Sequence, residues 1–432
     1  MKKTFLTAIL TLISFFSLAH PMPHSVMLFD VRKDGIKAEL SLPLKEFQMI
    51  YPEIDLDNGY KTLIKRKGSW LDAYLLDHIS IKDEKGKLWK ISIEGKSVSE
   101  DEQMLTGKYH ELTYTLWLQP PAGSSSRNFT MNYNVIMHQL ITHKLFLKIS
   151  SDWYGGMTEK DSSNADLGIL MVNQATGTTP PVEIHLEKKA STWNGFVVFV
   201  DLGMEHIKTG TDHLLFLVVL MLSTTLVAQK RRWTNTLGTK KSLLRVVKIA
   251  TAFTVGHSLS LLLGAMQWLV LPSKPVEVAI ALTILITAIH AIRPIFPNRE
   301  GYVAIVFGLI HGLGFSGALS DLNLDGERMA YSILGFNVGI ELMQLFVIIC
   351  TVPWLILLSK YPLHKRVRIV GGSFAIIASL GWVFTRITDT PNLVSKSAEM
   401  ILSNGKWLIA GIALIAVVNE VYQQTRTSAS KQ

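Results

Sequence analysis

The chain has 432 residues, enough for more than one domain, and 48% of them are hydrophobic while 18% are charged, against about 25% charged in soluble domains. The net charge of +9 would suggest nucleic acid in a soluble protein. Here the basic residues cluster in short connections between apolar runs, so they carry orientation and no nucleic-acid partner is expected. The single cysteine, Cys350, lies in an apolar run, which excludes a disulfide-stapled fold.

The first nineteen residues, MKKTFLTAILTLISFFSLA, combine a basic start, a short apolar stretch and a small-x-small ending, the pattern of a secretory signal. The apolar stretch is shorter than the ~20 residues that span a bilayer, so cleavage after Ala19 is predicted. The mature chain would begin His20-Pro21-Met22-Pro23-His24. A free α-amine beside the His20 imidazole can chelate a borderline divalent ion, with His24 near. These two are secondary metal candidates, against the plain reading of an ordinary terminus.

Within the segment 20–190 the period is two from Ser25 to about Lys189. SVMLFDV, a Lys-Asp-Gly turn and IKAELSL read as a β-hairpin, and ISIKDEKGKLWKISIE repeats the pattern around Lys85-Gly86. ELTYTLWLQ, FTMNYNVIM, HKLFLKIS, LGILMVNQ and VEIHLEK supply further strands. One helix is expected near SWLDAYLLDHI, where Ser69 and Asp72 have capping-box spacing. The prediction is an all-β, sandwich-like exported domain, placed in the periplasm.

Residues 195–422 read as an all-α polytopic membrane domain. Seven spans centre on 209–228, 246–270, 276–295, 301–319, 330–358, 369–386 and 405–422, followed by a tail at 423–432. With the first span entered from outside, the inner connections and tail hold fifteen Lys and Arg and the outer connections five. The positive-inside rule then puts the C-terminus in the cytoplasm, in a multi-pass protein of a bacterial inner membrane.

Ionisable groups inside spans are costly, at least ~2.5 kcal/mol at mid-bilayer when uncompensated, and mark function by default. HIKTGTDHLLFLVVLML places His206, Asp212 and His213 at the lip of the first span. Thr254, His257 and Ser258 form a stripe on the second span, and His311 sits near the middle of the fourth. Asn337, Glu341 and Gln344 fall on one face of the fifth, and His290 lies toward the inner end of the third. Gly308 and Gly312 flank His311, while Gly335 and Gly339 flank Asn337, spacing that lets helix backbones approach. That approach is expected to bring His311 within reach of Glu341.

In a continuous helix His206 and His213 would share a face but stand ~10.5 Å apart along the axis. Glycine between two threonines is a poor helix interior, and broken helices are common at transport sites. A break at Thr209-Gly210-Thr211 that folds His206 back toward Asp212 and His213 is therefore expected.

Imidazole with a little carboxylate suits borderline divalent transition metals such as nickel, cobalt, zinc or iron(II). No P-loop is present, so no nucleotide is expected and movement would be secondary transport or a channel. FVDLGMEHIKTGTDHLLFLVVL, TAFTVGHSLSL, VFGLIHGLGFSGAL and LGFNVGIELMQL together resemble the HupE/UreJ family of membrane proteins, over about residues 195–386. The resemblance implies nickel supply to hydrogenase and urease. It maps the family's first-helix pattern onto His206, Asp212 and His213, and its other polar blocks onto His257, His311, Asn337, Glu341 and Gln344. A similar first-helix pattern, one residue shorter, occurs in nickel/cobalt permeases. Two departures stand out: the large exported domain, and Ala288-Ile289-His290-Ala291 where a Glu-Asn pair is expected.

The leading expectation is a divalent-cation permease, not an enzyme, with the cation and the bilayer as partners and a periplasmic metal donor or outer-membrane protein as a further one. The competing expectations are a haem-binding electron carrier and a receptor or assembly factor acting through the exported domain. A metal-activated hydrolase is disfavoured, because no HExxH-type motif occurs.

Overall fold

The computed structural model describes residues 24–52, 54, 60–103, 107–157, 166–186, 189–320 and 326–429. The predicted signal segment and His20 lie outside the described residues. By contact density the chain divides into two compact units, Met1–Asn194 and Gly195–Gln432.

The N-terminal unit contains β1 (Ser25–Val31), β2 (Ile36–Pro43), α1 (Leu44–Ile50), α2 (Tyr60–His78), β3 (Ile79–Asp83), β4 (Lys90–Gln103), β5 (Gly107–Gln119), β6 (Asn128–Tyr133), β7 (Lys144–Ser151), β8 (Asp166–Met171) and β9 (Val182–His185). The strands form a six-stranded sheet ordered β4-β5-β2-β1-β7-β8 and a three-stranded sheet ordered β3-β6-β9. Alternate residues along β1 and β7 are buried, as the period-two pattern requires. Phe29, Leu40, Leu116 and Leu147 from the larger sheet share one core with Ile81, Met131 and Ile184 from the smaller, so the architecture is sandwich-like.

The β1–β2 hairpin forms with Val31 opposite Ile36. The second expected hairpin forms only beside its turn, where Asp83 N donates to Lys87 O at 2.9 Å and Trp89 N to Ile81 O at 2.8 Å. The turn at Gly86 is made, with φ +77° and a Lys82–Leu88 bridge, but β3 pairs with β6 and β4 with β5. Turn residues dictate only the reversal; the partner of each strand is chosen by the sheet that buries its apolar face. The expected helix starts at Tyr60, so Ser69 is interior rather than a cap, and Asp72 receives Lys96 Nζ at 2.6 Å.

Arg127 donates to both oxygens of Asp152, at 3.0 and 2.7 Å, and Asp152 also accepts from Gly155 N at 2.8 Å. Both side chains are at least nine-tenths covered. Asp152→Ala would leave a buried guanidinium unpaired, which costs about 3–5 kcal/mol. The sheet-unfolding midpoint of the purified chain, followed by circular dichroism, is expected to fall by roughly 10 °C.

The second unit continues α3 (Thr192–Thr209) and adds α4 (Thr211–Thr224), a ribbon of β10 (Leu226–Gln229) and β11 (Arg232–Thr236), then α5 (Thr239–Ala265), α6 (Ser273–Ile292), α7 (Glu300–Ser320), α8 (Gly326–Ser359), α9 (Leu363–Thr388), α10 (Leu393–Leu402) and α11 (Gly405–Ala429). Among the described residues, α5, α6, α8, α9 and the Trp407–Arg426 part of α11 are each long and apolar enough to cross a membrane. The pair α3 and α4 qualifies together, bent by 70°, and Glu300–Phe315 of α7 is a shorter apolar helix. This is a polytopic helical fold of about seven spans.

The first span differs from its expected bounds of 209–228. Helix already runs from Thr192, and the chain leaves helix after Thr224 for the ribbon. Glycines set the tightest crossings. A Cβ on Gly256 or Gly308 would collide with the backbone carbonyls of Ile305 or Phe253, and one on Gly339 with that of Val200. The helices α5 and α7, and α3 and α8, therefore meet backbone to backbone.

Candidate metal centre

The break at Gly210 is where the site begins. Its backbone, φ −70° and ψ 94°, ends α3 and starts α4, and the bend brings the His206 ring to 4.7 Å from that of His213, centroid to centroid. The backbone angles suit any residue; the room does not. A Cβ at 210 would lie 2.6 Å from His206 O, 3.0 Å from His213 Nδ1 and 3.3 Å from Asp212 Oδ1.

Asp212 occupies the first turn of α4, where the helix dipole favours an anion. Its Oδ1 accepts from the backbone N of His213 at 2.9 Å and lies 3.0 Å from His213 Nδ1. With Nδ1–H donated to the carboxylate, His213 Nε2 carries the lone pair and points away from it. That atom lies 3.4 Å from His311 Nδ1. On the far side of His311, Nε2 lies 2.9 Å from Thr283 Oγ1, whose hydroxyl is committed to Ile280 O at 2.6 Å. The threonine oxygen therefore accepts, and His311 Nδ1 is also left with a lone pair. Two lone pairs facing each other repel unless a cation stands between or beside them.

His257 on α5 completes the group. Its ring lies 6.0 Å from that of His206 and 6.1 Å from that of His213. It is wholly buried, and neither ring nitrogen has a hydrogen-bond partner. Burying a polar group without a partner costs about 1–3 kcal/mol, and a core histidine is ordinarily satisfied. Ligand atoms of His206, His213 and His257 lie within 4.8 Å of one another, as do those of Asp212, His213 and His311. His213 belongs to both triads, which makes it the hinge of the centre.

The other expected residues are placed differently. Glu341 does not meet His311. Its carboxylate accepts from Thr251 Oγ1 at 2.7 Å and Thr254 Oγ1 at 2.8 Å, and Gln344 Oε1 lies 3.1 Å from Thr254 Oγ1. The Gly308 and Gly312 approach that was expected to deliver His311 to Glu341 runs instead against α5, at Phe253 and His257. Because Thr254 precedes His257 by one turn of α5, Glu341 and Gln344 form a second polar station about 5 Å along that helix. Asn337 gives Nδ2 to Ile333 O at 2.8 Å and keeps a buried, unpartnered Oδ1.

His290 sits two turns from Thr283. Its ring stacks on Phe296 at 3.8 Å, its Nδ1 accepts from Ile295 N at 3.2 Å, and Glu300, paired with Arg245, lies near Nε2. It belongs to none of the triads among the described residues. His24 lies in the N-terminal unit, where burial, ahead of any charge, lowers its pKa.

Three participants escaped the sequence reading. Thr283, which orients His311, shares a buried stripe with Thr287 on α6, and that i, i+4 pair was its only signal. Glu277 and Arg386, an ion pair at 3.1 Å, border a cavity of about 200 Å³ that is also lined by Thr209, Gly210, Thr211 and Asp212. Asp212, with 30% of its side chain exposed, is the member of the centre that lines this cavity.

Residues 183–386 match the family model described as HupE / UreJ protein. No curated protein and no solved structure gives a match. Every side chain of the centre, from His206 to Gln344, falls inside the stretch that is similar to the HupE / UreJ protein family.

Proposed function

We propose that the membrane part carries a divalent transition-metal cation across a bacterial inner membrane, nickel first, with cobalt, zinc or iron(II) as the alternatives. The observation that carries this reading is His257, a wholly buried imidazole with two unpartnered nitrogens beside two further histidines. Four imidazoles and one carboxylate suit borderline metals and would serve magnesium or calcium poorly.

The cation enters through the cavity at Asp212, between the Glu277–Arg386 pair and the Gly210 break. The carboxylate attracts it, and the lone pairs of His213 and His311 replace its water. His206 and His257 take it deeper, and the oxygens of Thr254, Glu341 and Gln344 receive it next. Oxygen ligands hold a borderline metal less tightly than imidazoles do, so the onward step needs a drive. Protonation of an imidazole displaces a bound metal, so a proton arriving at the centre promotes release.

A haem carrier is the weaker reading. Three imidazoles, His206, His213 and His257, bring ligand atoms within 4.8 Å of one another, and with two of them axial the third would stand where the porphyrin plane must lie.

Uptake of a panel of metals into vesicles, read by mass spectrometry, tests the proposal. His213→Ala and Glu341→Ala are each expected to lower uptake of the transported metal at least about tenfold, the scale seen when metal-orienting groups are lost. Equal uptake by wild type and both variants would remove it.

A further inference from the structure

A second convergence of ligating side chains lies in the N-terminal unit, on residues the membrane centre does not use. Ligand atoms of His24, Glu46 and His143 all lie within 4.8 Å of one another. Three distant pieces of chain deliver them. Strands β1 and β7 run parallel, with Ser25 opposite Leu145, so the residues that lead into each strand, His24 and His143, start side by side. Strand β2 ends at Pro43 and turns directly into α1, whose first turn holds Glu46.

Glu46 is 1% exposed and His143 is fully buried. His143 Nδ1 is paired with Glu46 Oε2, and its Nε2 lies 2.8 Å from the hydroxyl of Ser25, itself fully buried. A buried carboxylate–imidazole pair alone is a poor investment, because desolvating both partners offsets most of their attraction. It also leaves the third member unexplained: His24 Nδ1 is buried and has no hydrogen-bond partner.

A cation accounts for all three. With the ion bound, Ser25 would accept from Nε2–H and leave the His143 Nδ1 lone pair for the cation. Such an outer hydrogen bond is the usual way a ligating imidazole is oriented. The carboxylate supplies the negative charge, and His24 Nδ1 gains a partner. Two imidazoles and one carboxylate form a recurring ligand set for zinc that leaves a fourth position open.

We infer that His24, Glu46 and His143 form a second site for a borderline divalent cation such as Zn²⁺ or Ni²⁺, with Ser25 orienting His143. The site is separate from the centre assigned to transport and does not depend on that assignment.

The test uses the full chain in detergent, with the membrane centre disabled by His213→Ala and His257→Ala. Equilibrium dialysis against ZnCl₂ or NiCl₂, followed by elemental mass spectrometry, is expected to find one ion per chain. Adding His24→Ala should weaken its affinity at least about tenfold, and Co²⁺ should lose the visible band of a nitrogen-ligated site. His24 is only partly buried, so its truncation spares the core; circular dichroism checks this. Should it unfold the domain, Glu46→Gln serves instead, since the amide retains a partner for His143 while removing the charge. No bound ion in the disabled background, or unchanged affinity in the folded ligand variant, would reduce the cluster to a buried ion pair and overturn the inference.

Discussion

Replacing His257 by leucine should abolish metal uptake while leaving the unfolding temperature of the purified chain unchanged or a few degrees higher. A histidine kept for packing would behave in the opposite way, because its loss removes hydrogen bonds the fold relies on. His257 makes none. Its ring has Phe253 and Phe336 as neighbours, at 6.2 and 6.4 Å between centroids, so an aliphatic side chain there finds apolar contacts. Removing an unsatisfied buried polar group should relieve about 1–3 kcal/mol. The two readouts, vesicle uptake and thermal unfolding in detergent, therefore move apart. Intact uptake, or lost uptake together with a collapse of stability, would sink the role given to this residue.

Gly210→Val is expected to lower uptake about 10- to 100-fold, the range for groups that hold metal ligands in place, although it alters no ligand. A side chain there meets His206 O, His213 Nδ1 and Asp212 Oδ1 together. The helix must then either straighten, which separates His206 and His213 by ~10.5 Å along the axis, or push the Asp212–His213 pair out of register. Gly210→Ala should show a smaller loss in the same direction. The signature separating this from general misfolding is metal dependence: the apparent affinity for the transported ion should fall while the abundance of the protein in the membrane holds. Normal uptake by the valine variant would mean that the tight break is incidental.

The break itself was legible because a glycine between β-branched residues, next to ionisable groups at a span's edge, is a local conflict with only a few resolutions. The histidines were legible for a related reason: a polar side chain in a lipid-soluble helix is conspicuous whatever it faces. Their company was not. Glu341 was assigned to His311 on the strength of glycine spacing, but that spacing says only that a backbone comes close. It does not say which one, and Gly308 and Gly312 of α7 turned out to face α5 while Gly335 and Gly339 of α8 face α3. Thr283 and the Glu277–Arg386 pair carried no distinguishing pattern, since threonines and single charges are ordinary at such positions. His290 looked like a ligand by composition, yet it is occupied by the chain reversal after α6.

In the N-terminal unit the alternation identified each strand because burial of one face imposes period two on the sequence. It could not pair β3 with β6 rather than β4, since both choices bury the same side chains. His24 was singled out for its nearness to the chain start, whereas Glu46 and His143 drew no attention. Their meeting depends on β1 and β7 running parallel, a pairing between segments more than a hundred residues apart.

The sequence by itself determined that this is a multi-span helical protein with a β-rich N-terminal part, and which side chains are out of place in lipid. Those follow from each residue's own solvation and from local periodicity. Only the tertiary structure decided that four histidines and Asp212 share one centre, that Glu341 and Gln344 stand one helical turn away, and that a second group gathers at His143. Distances between distant segments are set by which helices and strands pack together, and packing is a property of the whole chain.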